Sequence, residues 1–433
     1  MRVLKLCWIA LVLAAALAGG ARAQFLDTYL PASVPGLDRD QGVTVLSRLR
    51  PLYEDPGVRL GSFVVRGGVD EALGYDSNIT GWTNGPQSPF VRTSPSISAA
   101  SDWGRNRLGF DASLDQYTFF SAPRENYTNY NIALGGGWTI LEDSLNAGYA
   151  HQHAHEFGND IGAIAYGVPV TYDIDTVKAD YTYRVGRLQF TPNVDLQLFQ
   201  YGNAEAAGQT ISQAFRDRTV LSGGLTTRYS LSDQRGLLLV LQGSQSHYLQ
   251  PQLGAPSNNS RSVLVLPGLD YQASGPWRYR VLAGAELRVF DSPQYRNVLA
   301  PVVEASAIYT PTGLTTVTAS IRREIQDPEA EGSSGLTFTG VKLVVDHEWL
   351  RNVLLQTSGE FGSVRYFDAG RSLSFGAGAS ATWLLNEHLS VSANYQFSRQ
   401  DSAGSFPNSM AESATHLPSF TRNLLLLQAK WRL

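Results

Sequence analysis

From Leu425 to the last residue every second position is apolar: Leu425, Leu427, Ala429, Trp431 and Leu433. Between them stand Gln428, Lys430 and Arg432. Period-two alternation predicts a β-strand with one apolar and one wet face. A strand that ends flush with the chain suits an element that closes a sheet on itself, as in a transmembrane β-barrel, which leaves no edge.

The pattern repeats upstream. Alternation begins at Leu60 with Phe63, Val65, Gly67 and Val69 against Arg66, Gly68 and Asp70. Asn106 to Ser121 carries Leu108, Phe110, Ala112 and Leu114 on one face and Asp111 and Asp115 on the other. Further hairpins are predicted to turn at Glu142-Asp143, Gly186-Arg187, Ser232 to Arg235, Ser274-Gly275-Pro276, Pro311-Thr312-Gly313, Leu350 to Asn352 and Asn386-Glu387-His388. With Asp102 to Arg105 this makes eight tight turns spaced by 36 to 47 residues, separated by longer connections rich in Gly, Pro, Asn and Ser. Short turns alternating with long loops are the outer-membrane arrangement, turns periplasmic and loops extracellular. Eight hairpins flanked by one strand at each end give about 18 strands, an even number that leaves both termini on the periplasmic side. A β-propeller has a similar repeat length, but its strands are about half as long as these runs.

The polar face is charged. Trp277, Tyr279, Val281, Ala283, Ala285, Leu287 and Val289 share one side of a strand; Arg278, Arg280, Glu286 and Arg288 share the other. An arginine facing lipid at mid-depth costs roughly 2–4 kcal/mol, so these side chains are expected to face a wet interior. The same parity assigns Arg66, Asp111, Asp115, Lys178, Asp180, Arg228, Glu304, Arg322, Glu324, Lys342, Asp346 and Lys430 to the lumen. Both signs are present, often on one strand, which predicts a polar lumen without strong ion-sign selectivity. Trp103, Trp138, Trp277, Trp349, Trp383 and Trp431 lie beside the short turns, as an aromatic girdle at the periplasmic interface would.

Residues 1–23 read as a signal peptide: Arg2 and Lys5, an apolar Leu6 to Leu17, and the cleavage site Ala21-Arg22-Ala23. Export through the Sec route follows. The only cysteine, Cys7, lies inside this segment, so the mature chain has no disulfide. Removing Arg2, Lys5 and Arg22 leaves 31 basic against 38 acidic residues, a net charge of −7. No basic run points to nucleic acid. Residues 24–59 hold Pro31, Pro35, Pro51 and Pro56 and read as an irregular periplasmic leader, by default loosely held as termini are, or else as a partial plug; residues 60–433 form the barrel.

Some residues break the pattern. Glu71 falls in the apolar register, and Pro95, Pro192 and Pro301 sit inside strands, so a bulge, a register shift or an edge is expected there. His151, His153 and His155 share one face, but it continues the lipid side of Leu145, Ala147 and Tyr149, so no metal site is assigned. Gly135-Gly136-Gly137 does not lead from a strand into a helix and reads as a low-bulk patch, not a phosphate loop. No spacing marks a catalytic set; neither enzyme activity nor a cofactor is assigned.

One stretch carries a resemblance. Gly42-Val43-Thr44-Val45 leads to Arg48-Leu49-Arg50-Pro51, Tyr53, Asp55-Pro56-Gly57-Val58-Arg59 and Gly61-Ser62-Phe63, then to Gly74-Tyr75-Asp76-Ser77-Asn78-Ile79. This resembles the putative beta-barrel porin 2 family of outer-membrane proteins, with its Arg-Pro-x-Tyr, Pro-x-Gly-x-Arg-x-Gly-x-Phe and Tyr-Asp-x-Asn progression. Glu54-Asp55 before Pro56 is a looser match. The resemblance implies a barrel in a Gram-negative outer membrane. It names no catalytic residues, and some members are associated with exopolysaccharide export.

The expectation is therefore an all-β, up-and-down antiparallel transmembrane barrel. It acts as an outer-membrane pore, in its polymer version an exopolysaccharide exit channel, with lumenal tyrosines such as Tyr117 and Tyr366 along the sugar path. The alternatives are a diffusion porin for small solutes, or a closed surface receptor or adhesin. Expected partners are outer-membrane lipid and lipopolysaccharide, the barrel-assembly machinery, and, for export, polysaccharide and periplasmic export proteins.

Overall fold

A computed structural model describes residues 44–158, 168–206, 209–250, 256–272, 275–327, 334–367, 370–404, 417 and 419–433. The signal-peptide reading, and the leader up to residue 43, lie outside them.

Eighteen long strands form one antiparallel ring. In chain order they are β1 (Phe63–Asp76), β2 (Ser88–Ser101), β3 (Arg107–Phe119), β4 (Tyr127–Ile140), β5 (Asp143–Glu156), β6 (Val170–Val185), β7 (Leu188–Tyr201), β8 (Arg218–Ser232), β9 (Arg235–Tyr248), β10 (Ser260–Gln272), β11 (Trp277–Phe290), β12 (Val298–Thr312), β13 (Thr315–Gln326), β14 (Leu336–Leu350), β15 (Val353–Tyr366), β16 (Arg371–Leu384), β17 (Leu389–Ala403) and β18 (Phe420–Arg432). Each pairs with its sequence neighbours, and β18 returns to β1 with Gly68 opposite Arg432 and Asp76 opposite Leu424. The barrel is closed, so no strand edge is left to water or lipid. A short strand, Val58–Leu60, folds back onto the start of β1. Among the described residues, no helix is long and apolar enough to cross a membrane.

The alternation maps onto the wall as the pleat requires. On β9, Leu237, Leu239 and Leu241 are exposed outside while Leu238 and Val240 are buried inside. Trp138, Trp277, Trp349, Trp383 and Trp431 are exposed on the outer face, and Trp103 is exposed in the β2–β3 turn, so all six stand at the short-turn rim. Trp277 stacks on Tyr309 at 4.3 Å, and Trp103 meets Phe63 edge-on at 5.6 Å. Gly136 lies beneath the Trp138 ring, which would stand 2.5 Å from a Cβ there, so a glycine is needed at that position of the low-bulk run.

The pattern breaks resolve differently from expectation. β1 has neither bulge nor register shift: its pairing with β2 and β18 is continuous through Glu71. Glu71 is exposed on the outer face and accepts a hydrogen bond from Thr93 Oγ1 at 3.0 Å. The strand prolines do not shift register either. Pro95, Pro192 and Pro301 pair with Val69, Leu225 and Ala285 on one side, and the ladder lapses beside each on the other. A proline has no N–H to give that second neighbour. Register shifts occur instead at turns, as at Ser230/Ser232, Tyr309/Thr312 and Glu348/Leu350.

Candidate functional site: a braced and narrowed lumen

The inner wall is laced with ion pairs that mostly join neighbouring strands. Lys430 reaches Asp70 at 3.1 Å across the β18–β1 seam, Lys178 reaches Asp195 at 3.4 Å, and Lys342 reaches Glu360 at 3.8 Å. Asp180 accepts from Asn146 Nδ2 at 2.9 Å, and Asp346 from Gln356 Nε2 at 2.9 Å. Asp115 accepts from Ser94 Oγ at 2.5 Å and lies 4.0 Å from Arg92, while Arg66 donates to the Asp55 carbonyl at 3.1 Å. Arg322 and Glu324 pair along β13. Asp111, Arg280 and Glu304 also have interaction partners. Arg278 alone among the expected lumen residues is exposed, beside the short β10–β11 turn.

Arg228 on β8 and Asp270 on β10 pair at 3.3 Å although β9 runs between them. Gly236 of β9 makes this reach possible. A Cβ there would stand 2.8 Å from Arg228 Nε and closer still to Asp270 Oδ1.

The strongest cluster gathers toward the long-loop end. Asp327, just past β13, receives Arg288 Nη1 at 2.6 Å and Arg218 Nε at 3.1 Å, from strands β11 and β8. Glu286 lies 3.3 Å from Arg288. The Arg218 guanidinium sits 4.1 Å over Phe199 and 5.9 Å from the Tyr201 and Tyr248 rings. Burial opposes ionisation of Asp327, but the two guanidiniums together hold its carboxyl below the usual range. Beside this cluster Arg216, 1% exposed, pairs with Glu156 at 2.5 Å and lies 3.9 Å over Tyr201.

Sequence reasoning missed Asp327, Arg218, Arg216 and Glu156. Arg216 and Asp327 lie beyond strand ends, where alternation gives no facing. The one available signal was the Arg-Asp-Arg run at 216–218, a concentration of charge at a loop-to-strand junction.

Two segments narrow the interior. Between β7 and β8 a small hairpin, Asn203–Ala206 with Gln209–Ser212, turns into the barrel. Its Ala204 and Ile211 share one apolar cluster with Val170 and Tyr201 of β6 and β7, with Leu336, Phe338, Val364 and Tyr366 of β14 and β15, and with Leu417. Those strand pairs lie on nearly opposite sides of the ring. Tyr366, expected along an open path, is 4% exposed inside this cluster and offers no face to a passing solute. Tyr117 is part-buried, stacked on Tyr127 at 4.5 Å beside Phe90 and Phe119. A second apolar patch interrupts the wet interior at mid-depth: Leu238, Val240, Leu264, Leu266, Leu282 and Val302 of β9 to β12 are buried together on the inner face.

At the short-turn end, residues 44–55 lie against the inner wall. Val45 is fully buried with Leu354 and Leu384, and its N–H donates to Thr316 Oγ1 at 3.0 Å. Arg50 pairs with Glu348 at 2.9 Å and donates to the Val45 carbonyl at 2.7 Å; Arg48 donates to the Gly313 carbonyl at 2.6 Å. On the far side Arg432 donates to the Tyr53 carbonyl at 3.1 Å. The segment thus runs from β13 and β14 to β18 and β1, over a cavity of about 390 Å³ whose lining includes Arg50, Arg66, Asp111 and Lys430.

On the outer face, His151 Nδ1 meets Asp175 at 2.9 Å and His153 Nδ1 meets Asp173 at 2.7 Å; His155 Nδ1 meets Asn129 at 2.9 Å. Among the described residues no group of three or more His, Cys, Asp or Glu is arranged to hold a metal ion.

Asp76 of Tyr75-Asp76-Ser77-Asn78 binds Arg422 across the seam and accepts from the Asn78 N–H at 3.0 Å. Asn78 in turn accepts from Gly81 N at 3.0 Å and donates to the Trp82 carbonyl at 2.6 Å. The motif locks the first strand to the last and shapes the loop above them. Residues 50–415 match the model of the family described as putative beta-barrel porin 2. The chain belongs to that family. It is a porin-type barrel of a Gram-negative outer membrane. Among curated proteins no match is found. Among solved structures, this family member is similar to OccK2 (OpdF) of Pseudomonas aeruginosa, at 12% identity and a TM-score of 0.47 over 86% of this chain and 98% of that one. It is also similar to Pseudomonas aeruginosa OpdK with vanillate, at 11% identity and 0.46 over 85% and 99%. For the ferric-catecholate import receptor Fiu of E. coli K12 the figures are 9% and 0.41, over 85% and 81%.

Proposed function

We propose that this barrel is an outer-membrane pore for polar, sugar-rich solutes, and in its most specific form an exit channel for an exopolysaccharide. The observation that carries the reading is the neutralised inner wall. Lys178–Asp195, Lys342–Glu360 and Lys430–Asp70 pair opposite charges on neighbouring strands, and Arg228–Asp270 does so across one strand. Such a wall exerts little net field on an ion, yet it offers donors and acceptors to an uncharged polar chain. The six rim tryptophans serve as the periplasmic girdle against lipid. Lipopolysaccharide meets the opposite leaflet, and periplasmic export proteins would dock at the short-turn end. In this reading residues 44–55 act as a partial plug, because their backbone and side chains are hydrogen-bonded to the inner wall.

The deciding experiment is secreted and surface polysaccharide in a deletion strain against a complemented one. Loss of external polymer, or its accumulation in the periplasm, supports export. Unchanged polymer removes that reading and leaves the diffusion porin. The inward hairpin and the docked leading segment favour one further reading, a closed receptor or adhesin barrel. Single-channel recording separates it: a closed barrel conducts only after these segments are removed.

A further inference from the structure

The loop that joins β1 to β2 forms, with the ends of β17 and β18, a cavity of about 490 Å³ at the long-loop mouth. Trp82 supplies an indole to its lining, and Asn78, Asn84, Arg399 and Asp401 supply planar polar groups. That volume falls within the roughly 300–1,000 Å³ of small-molecule sites.

The cavity is built, not incidental. The Trp82 carbonyl accepts from both Asn78 Nδ2 at 2.6 Å and Gly85 N at 3.1 Å. The Thr83 hydroxyl ties the loop to the Ser419 carbonyl at 2.8 Å, and the Ile79 N–H donates to the Pro86 carbonyl at 2.9 Å. Asn84 adopts φ +62°, which an asparagine tolerates and most residues do not. Gly85 is packed so closely that a Cβ would stand 2.8 Å from Thr80 Oγ1 and closer still to Asn78 Oδ1. Facing the loop, Arg399 and Asp401 form a two-pronged pair at 2.9 and 3.0 Å, both about half exposed. A pair held in that plane keeps outward lone pairs and N–H groups for vicinal hydroxyls.

We propose that this cavity is a carbohydrate-binding site at the outer mouth. Its ligand is a sugar unit whose apolar C–H face lies on the Trp82 ring and whose hydroxyls meet Asp401, Arg399 and Asn84. An indole gives an apolar body with a polar edge at low conformational cost. The pinned loop spares the ordering penalty that a mobile one would pay. The inference deepens the polymer reading by giving the emerging chain a landing point outside the lumen.

The test is isothermal titration of the purified full barrel in detergent with a panel of neutral and uronic-acid-bearing tetrasaccharides. The expected result is saturable binding of at least one member. Trp82→Ala and Asp401→Asn should each weaken it by roughly tenfold, while Trp383→Phe on the opposite rim leaves it unchanged. Heat-modifiable gel migration confirms that each variant is folded. Saturable binding that Trp82→Ala does not alter overturns the site, as does absence of saturable binding across the panel. Single-channel conductance distinguishes this failure from that of the pore: the site predicts conductance unchanged in Trp82→Ala, whatever the polymer phenotype of the deletion strain.

Discussion

Arg422 Nη2 lies 2.5 Å from Asp76 Oδ2, and its Nε lies 3.0 Å from both carboxylate oxygens, so the last strand grips the first through a two-pronged pair 346 residues apart in sequence. Asp76 is 1% exposed. Breaking a buried pair from one side leaves an uncompensated charge, at roughly 3–5 kcal/mol. Asp76→Asn is therefore expected to lower the temperature at which the folded barrel band is lost on semi-native gels. Thr93→Ala, a cross-strand change on the outer face, should move it far less. Equal shifts would mean that the seam is not specially held.

The Arg218–Asp327–Arg288 cluster places one carboxylate between two guanidiniums. Asp327→Asn removes a negative charge from the narrow section and leaves two arginines facing it. The open channel should then shift toward anions, measured as a change in reversal potential under a salt gradient. A shift toward cations, or none, removes the cluster from the permeation path. The pH dependence has a definite sign. With its pKa below the usual carboxylate value of about 3.9, Asp327 contributes stability that is fully present above that value. The contribution is lost as pH falls through the lower folded value. Asp327→Asn should abolish this acid-side loss.

Arg50 and Glu348 hold the leading segment to the wall at 2.9 Å. If the segment narrows the pore, Arg50→Ala should raise mean single-channel conductance, and a disulfide joining introduced cysteines at 45 and 354 should prevent the rise. Unaltered conductance in Arg50→Ala would assign residues 44–55 to bracing rather than obstruction.

Gly236 offers a test of the inner bracing itself. Gly236→Ala forces a methyl group between Arg228 and Asp270. Overpacking of this kind costs roughly 1–3 kcal/mol. Urea unfolding in lipid vesicles should show that loss, and Gly104→Ala, in open space at a turn, should not.

The wall was legible in the sequence because strand parity is a local property. β6, β7 and β11 begin and end where alternation and turn residues place them, at Val170–Val185, Leu188–Tyr201 and Trp277–Phe290. Parity alone does not supply partners: Lys178, Arg228 and Lys342 pair with Asp195, Asp270 and Glu360 on other strands. The partial plug stood among the alternatives for residues 24–59, but the inward hairpin and the charges beside it were not legible. Asp327, Arg216 and Ala204 lie in connections that turn inward, and no period marks that turn. Parity likewise predicted that Tyr366 faces inward, but not that Leu417 and the Asn203–Ser212 hairpin would come to cover the space it faces.

The inward hairpin and the docked leading segment lie at opposite ends of one tube. Narrowings in series behave as two valves on one pipe: their resistances add, and the tighter one sets the flow. When each opens independently, the fraction of time the passage is clear is the product of two fractions. Releasing one end alone would then recruit the space between as a vestibule, filled from one side and still held at the other.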